Sequence, residues 1–410
     1  MDGAEGPSPA DPHASVRFLL VASLLPPLSL AALHAARTAG AWPVAADVAA
    51  YALLSMAALG VARRLRLGLG LFLSLATLNL ALLTPELFLR LVGFRREAGI
   101  QFGYPRPEAF LRLRPDPQLF WTLPPGPGVN ALGFAGPEVV VPKPRGVFRI
   151  VFLSDSVGFQ GYPAKVAARL QARLPEPRRF ESVSLCLTGY SSHQGRVLAE
   201  TWGPRLQADA AVVGYGWNDH WQAWGAPDDR KRIPIPASPV ARLATALEPR
   251  LRVVQAATYL LRGARGEERP LTEVRVSLDR YRENLGRIAD IFESRGARVM
   301  LLTAATSHDR LPVPRYLVRD GFAPDAASVL SRHRAYNDAV RALGRSRELR
   351  VVDLDEDLRE AGQPRRLFLE DGIHLTPAGL DAVASRVADA LLESIVAPAA
   401  KARQEPELIR

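Results

Sequence analysis

From Arg149 to Val396 the hydrophobic pattern alternates between short apolar runs and longer stretches with helical spacing. The runs Arg149 to Leu153, Val183 to Leu187, Ala210 to Gly214, Arg298 to Thr303 and Arg350 to Leu354 are bounded by turn residues and read as strands buried on both faces. Helical patterns fill the gaps at Pro163 to Leu174, His193 to Leu206, Leu278 to Ser294, Ala326 to Leu343 and Pro377 to Val396. Strands alternating with helices require right-handed crossovers, so the predicted class is α/β, a three-layer α/β/α sandwich around a central parallel sheet. One long interruption, residues 220–272, holds Trp221, Trp224, a Pro-rich run from Ile233 to Pro239 and a predicted helix from Val240 to Ala264. It follows Asn218-Asp219 directly, and is expected either to cap a pocket or to pack on the sheet edge or the amino-terminal region.

That amino-terminal region is the most apolar part of the chain. Val16 to Ala36, Ala45 to Ala62 and Leu67 to Val92 approach the length needed to cross a hydrocarbon core. About three transmembrane helices are therefore expected over 16–93, after a disordered 1–15. Pro26-Pro27 would kink the first, and the second is short and Ala-rich. A cleaved signal peptide fits poorly, because Asp2, Glu5 and Asp11 outnumber Arg17 ahead of the apolar core. Arg63, Arg64 and Arg66 favour a cytoplasmic loop, which puts the chain after Val92 outside; Arg90, Arg95 and Arg96 pull the other way. The expectation is an integral membrane protein whose larger domain is extracytoplasmic, periplasmic or at the cell surface. Residues 94–145 carry Tyr104-Pro105-Arg106-Pro107, Pro115-Asp116-Pro117 and Pro124-Pro125-Gly126-Pro127, which forbid long helices and read as an extended connector. The α/β domain then occupies 146–398 and a disordered tail 399–410.

The 410 residues carry a net charge of +10, from 52 Lys and Arg against 42 Asp and Glu. The arginines are scattered, with no basic patch interleaved with aromatics, so no nucleic-acid partner is expected. Membrane lipids are, since Arg near a bilayer meets anionic headgroups. Cys186 is the single cysteine, which excludes an intramolecular disulfide and suits an inert core thiol. His193, His220 and His308 fall near strand ends without the spacing of a metal site. Any of them can touch a substrate there; no metal and no cofactor are expected.

Arg-Ile-Val-Phe-Leu-Ser-Asp-Ser-Val-Gly-Phe, Arg149 to Phe159, runs an apolar strand into an Asp-Ser pair and leaves the Ser156 hydroxyl at the sheet's carboxyl edge, where open α/β sheets place their chemistry. Helix capping is the plainer use of such a pair. Two further blocks lie just past strands or before a helix: Val212-Val213-Gly214-Tyr215 leading into Gly216-Trp217-Asn218-Asp219, and Leu367-Phe368-Leu369-Glu370 leading into Asp371-Gly372-Ile373-His374-Leu375-Thr376-Pro377. With Gly189 after Val183 to Leu187, the set resembles the SGNH (GDSL-like) hydrolase superfamily over roughly Gly146 to Val396.

The resemblance implies that Ser156 is the nucleophile, His374 the general base and Asp371 its orienting carboxylate. It also implies an oxyanion hole made of the backbone N–H groups of Ser156 and Gly189 and the side-chain amide of Asn218. Asn130-Ala131-Leu132-Gly133-Phe134-Ala135-Gly136 is similar to an Asn-x-x-Gly-Phe-Arg-Gly lead-in of membrane-linked relatives, with Ala135 in place of Arg. Two positions depart from the family pattern: Ser154 stands where the first block usually has Gly, and Ser184 where the second often has Asn. No Gly-x-Ser-x-Gly elbow is present. The implied activity is that of a membrane-anchored serine esterase or O-acyltransferase acting on an ester-bearing carbohydrate or lipid. The alternative is a catalytically inactive SGNH-fold membrane scaffold or glycan-binding protein, motivated by Ser154 and Ser184. Trp217, Trp221 and Trp224 are candidates to stack on a sugar or line an acyl tunnel, or else are packing. Asp155, Asp219, Asp353 and Asp355 read as structural carboxylates.

Overall fold

The computed structural model describes residues 85–86, 88–90, 92, 94, 114–174, 179–231, 247, 251–264 and 270–396. The predicted transmembrane helices, except for a few positions after Pro85, and both predicted disordered ends lie outside these residues. Among the described residues no helix is long and apolar enough to cross a membrane.

In chain order the elements are β1 (Arg114–Asp116), β2 (Phe120–Thr122), β3 (Val147–Ser154), α1 (Ser156–Phe159), α2 (Tyr162–Arg173), β4 (Arg179–Ser184), α3 (Ser192–Leu206), β5 (Ala210–Gly214), β6 (Gln222–Trp224), α4 (Arg252–Ala264), β7 (Pro270–Val274), α5 (Leu278–Glu293), β8 (Arg298–Leu302), α6 (Tyr316–Arg319), α7 (Ala326–Arg347), β9 (Arg350–Val352), α8 (Leu354–Glu360), α9 (Pro364–Leu367) and α10 (Pro377–Val396). The five expected strands form one parallel sheet in the order β4-β3-β5-β8-β9. Its two faces are dry because consecutive residues of β3 point opposite ways. Val151 and Leu153 join one core with Leu198 of α3, Ile288 and Phe292 of α5 and Val340 of α7. Ile150 and Phe152 join the other with Val166 and Leu170 of α2 and Val383, Val387 and Leu391 of α10. The α/β class and its three layers are thus as expected.

The second strand starts earlier than its apolar run. Phe180 packs on Phe148, and Glu181 accepts a 2.7 Å bond from the fully buried Arg149, so pairing begins at Arg179. The apolar run itself continues beside β3 through bonds from Leu185 N to Phe152 O and from Leu187 N to Ser154 O.

The chain divides into two compact units, residues 1–99 with 236–265 and residues 100–235 with 266–410. This corrects the connector expected over 94–145. From Arg114 onward the segment belongs to the sheet's own unit: β1 and β2 pair as an antiparallel ribbon, and Phe120, Trp121 and Phe134 enter the core. Proline excluded helices there, but burial of three aromatic rings holds the segment down. Part of the insertion lies among the described residues. β6 and β7 pair antiparallel at its base, while α4, the described part of the predicted helix, belongs to the other unit. There Val253 N donates at 2.8 Å to the buried Glu86 carboxylate, which also pairs with Arg90 at 2.7 Å. A carboxylate on the first turn satisfies otherwise orphaned N–H groups.

Candidate active site

The sheet's carboxyl edge gathers the polar blocks. At the end of β3, Asp155 turns inward as the N-cap of α1 and accepts from Val157 N at 2.9 Å. Its carboxyl is 3% exposed, and burial pushes its pKa up to about 6 against that bond and the nearby His374. This is the structural role expected of it, and it sets Ser156 at the first position of the helix. Ser154, the unusual residue of this block, donates from Oγ to Gly214 O at 2.8 Å and so ties β3 to β5.

The turn before α10 supplies the partners. One oxygen of Asp371 accepts from Ile373 N at 2.9 Å and His374 N at 2.8 Å; the other meets His374 Nδ1 at 2.6 Å. His374 Nε2 then lies 2.8 Å from Ser156 Oγ. The hydroxyl, more than two hundred residues upstream, therefore meets the imidazole and its carboxylate in line. Burial disfavours the imidazolium, but the hydrogen bond and charge of Asp371 outweigh it and raise the His374 pKa above its ordinary value. For Asp371 burial acts upward, and the bonds from His374 and the two backbone N–H groups win, lowering its pKa. This arrangement can take a proton from Ser156 as the hydroxyl attacks a carbonyl and return it to a leaving group.

Residues with no signature in the sequence hold this turn. Gln160 bonds Leu375 in both directions, Nε2 to O at 2.9 Å and N to Oε1 at 3.0 Å. His308, a substrate candidate, instead bonds Asp371 O through Nε2 at 2.8 Å. Gly372, at φ +71°, is required beneath it, since a Cβ there would stand 2.4 Å from His308 Nε2.

Because Leu187 N bonds Ser154 O, Gly189 follows two residues later, beside the turn that carries Ser156. Its φ of +80° suits glycine. Asn218, four residues past β5, donates from Nδ2 to Tyr190 O at 3.0 Å, which joins the second and third blocks. An Asn amide has a second hydrogen to give. Asp219 makes the expected loop bond, accepting from Ser192 N at 2.9 Å. Burial raises its pKa to about 7.

The remaining candidates are not part of this rim. Trp217 and Trp221, 2% and 5% exposed, are sealed in a satellite core with Leu317, Val329 and Ile373, and Trp217 stacks on His333 at 3.9 Å. Trp224 is half-buried against Gly321. For Trp217 and Trp221 this is packing, one of the uses the sequence left open. His220 is fully buried, bonded through Nε2 to His333 Nδ1 at 3.2 Å, and His193, 7% exposed, lies flat on Phe120. Asp353 caps α8 and binds Arg341, as expected of a structural carboxylate. Burial pushes the Cys186 thiol up to about 12, consistent with an inert core group. A groove of about 740 Å³ lined by His193, Arg196 and Arg280 contains no triad residue, and these arginines are paired with Glu200 and Glu283. A cavity of only about 30 Å³ lies behind Val157, between Trp217, Ala304 and Ile373.

A serine, a histidine and a carboxylate in hydrogen-bonded series at the carboxyl edge of a parallel sheet define a serine-hydrolase site. The GDSL-like lipase/acylhydrolase family pattern matches residues 152–382, more than half of the sequence, and the protein belongs to that family. It is a serine hydrolase of the SGNH type. Similar solved structures include the lipase/acylhydrolase from Enterococcus faecalis, at 15% identity over 59% of this chain and 93% of that one, with a TM-score of 0.38. A GDSL-like lipase from Bacteroides thetaiotaomicron is 12% identical over 60% and 89%, with a TM-score of 0.36. An α/β hydrolase from the metagenome of Lake Arreo is 19% identical over 59% and 94%, with a TM-score of 0.38. No curated protein sequence matches the chain.

Proposed function

We propose that the protein is a membrane-anchored esterase or O-acyltransferase that acts on an ester-bearing carbohydrate or lipid through an acyl-enzyme on Ser156. The observation that carries this reading is the 2.8 Å contact between His374 Nε2 and Ser156 Oγ, backed by the 2.6 Å bond from His374 to Asp371. His374 accepts the Ser156 proton as Oγ adds to the ester carbonyl, and the carbonyl oxygen becomes an oxyanion. The N–H groups of Ser156 and Gly189 and the second amide hydrogen of Asn218 receive that charge. Collapse of the intermediate expels the alcohol, which takes the proton from His374. Water or a sugar hydroxyl then attacks the acyl-enzyme with His374 again as base, giving hydrolysis or transfer. The inactive-scaffold alternative rested on Ser154 and Ser184. Ser154 is absorbed by its bond to Gly214, and no feature of the site favours that reading.

The apolar stretches of the first hundred residues support the anchor, and Arg63, Arg64 and Arg66 support an extracytoplasmic active site. A fluorophosphonate probe tests both parts. In detergent it is expected to label the native protein and not Ser156→Ala, which also loses turnover of a short-chain aryl ester. A membrane-impermeant version is expected to label the native protein in intact cells. Full activity in Ser156→Ala refutes the chemistry; labelling only after lysis refutes the topology.

A further inference from the structure

Two side chains outside the triad grip the loop that carries Gly189. Trp121 Nε1 donates to Thr188 O at 3.2 Å, and Arg275 Nη1 donates to Gly189 O at 2.9 Å. A trans peptide holds its C=O and N–H antiparallel. The Trp121 bond therefore fixes the direction in which the Gly189 N–H points, and the Arg275 bond fixes the next peptide plane. Glycine has the freest backbone of any residue, so a donor at this position gains most from bracing by its neighbours.

The bracing is closed on itself. Tyr190 OH donates back to Trp121 O at 2.6 Å, and the two rings lie 5.6 Å apart. Arg275 and Asp228 form an ion pair at 2.8 Å, 1% and 0% exposed. Asp228 also accepts from Ser191 Oγ at 2.7 Å. A buried ion pair adds little net stability over an apolar pair, so its presence under this loop points to placement of the loop. Phe120, just before Trp121, holds φ at +69°, a strained conformation for a bulky residue of the kind that clusters at working sites.

We infer that Trp121 and Arg275 are positioning residues for the oxyanion hole. They aim the Gly189 N–H at the oxygen that gains charge when Ser156 attacks, and the bond to Thr188 O polarises the same peptide and strengthens that N–H as a donor. This rests on the proposed roles of Ser156 and Gly189.

Trp121→Phe keeps an aromatic ring in the core and deletes the donor; Arg275→Lys keeps the charge and deletes the fork. Full-length variants are assayed with p-nitrophenyl acetate for kcat and KM, and with an alkylboronic acid, whose tetrahedral adduct on Ser156 places an oxygen in the hole, for its inhibition constant. The kcat of Trp121→Phe is expected to fall about tenfold or more, against about 10²–10³-fold for outright loss of such a donor. KM should move by less than about twofold, and boronate affinity should weaken in parallel with kcat/KM. A purely structural defect lowers the active fraction and leaves boronate affinity unchanged. Unchanged boronate affinity in whichever of the two variants folds therefore overturns the inference. If that result accompanies an inert Ser156→Ala, the site reading stands and only the positioning role falls; an active Ser156→Ala removes the reading beneath it.

Discussion

Replacing Asp371 by Asn should cost far more than the loss of one charge, because the surrounding bonds dictate how the amide sits. In the native turn one carboxylate oxygen accepts from two backbone N–H groups, at 2.9 and 2.8 Å, and the other faces His374 Nδ1. An amide that keeps both backbone bonds must turn its NH2 toward Nδ1. The imidazole then carries its proton on Nε2 and donates to Ser156 instead of accepting from it. Flipping the amide restores the productive tautomer but sets the NH2 against two backbone donors, which forfeits two bonds at about 1 kcal/mol each and leaves donors unmet. A gap of about 2–3 kcal/mol leaves the productive form roughly 30–150-fold rarer. Loss of the carboxylate from beside the forming imidazolium adds to this, bringing the total toward the roughly 10⁴-fold typical of such an amide replacement. The expected fall in kcat on a short-chain aryl ester is about 10³–10⁴-fold. The pH profile offers a second readout. Activity needs neutral His374, so the native kcat/KM should rise through a pKa above 6.5, the ordinary histidine value. In Asp371→Asn burial remains without its counterweight, so the limb should move to lower pH. A kcat within about tenfold of native, or an unmoved limb, refutes the tautomer argument.

Two other perturbations have signed outcomes. Asn218→Ala should lower kcat by about 10²–10³-fold with little change in KM, as for removal of an oxyanion donor; a rise in KM alone would assign Asn218 to ground-state binding. Asp219, with one buried oxygen unpaired, has its pKa raised from 3.8 to about 7, so its contribution to stability is complete below 3.8 and is lost as pH climbs toward 7. Asp219→Asn removes that dependence, and its stability relative to native should improve by about 3 kcal/mol between pH 5 and 8 in urea titrations. An identical difference at both pH values contradicts the raised pKa.

Much of this was legible because the hydrophobic period is strong where both faces of a sheet are buried. α10 begins and ends where its apolar pattern does, and β5 coincides with Ala210 to Gly214. Ser156, Asp371 and His374 could be read because the blocks that carry them resemble those of the SGNH hydrolases. What escaped notice was long-range or chemically ambiguous. Trp217 next to Asn218 looks the same whether it meets a sugar or stacks on His333, since the stacking partner lies over a hundred residues away. Proline spacing in the supposed connector spoke against helices and was silent on docking, although Leu119-Phe120-Trp121 is an apolar run that only a core would hold. Gln160 carries no local signal at all, because its partner Leu375 is brought to it only by the fold. Asp228, inside the insertion, and Arg275, just after it, pair over 47 residues of chain, so neither reads as half of anything.

The bond from Val253 to Glu86 bears on how this enzyme can be trimmed. Shortening the chain only at its front would strip α4 of the residue that terminates it and strand residues 236–265 with no companion. Excising 236–265 as well removes that unpartnered stretch and spares Asp228, Arg275 and the ribbon in which Trp224 pairs with Pro270. Separating the sheet's unit from the other is therefore a matter of two incisions.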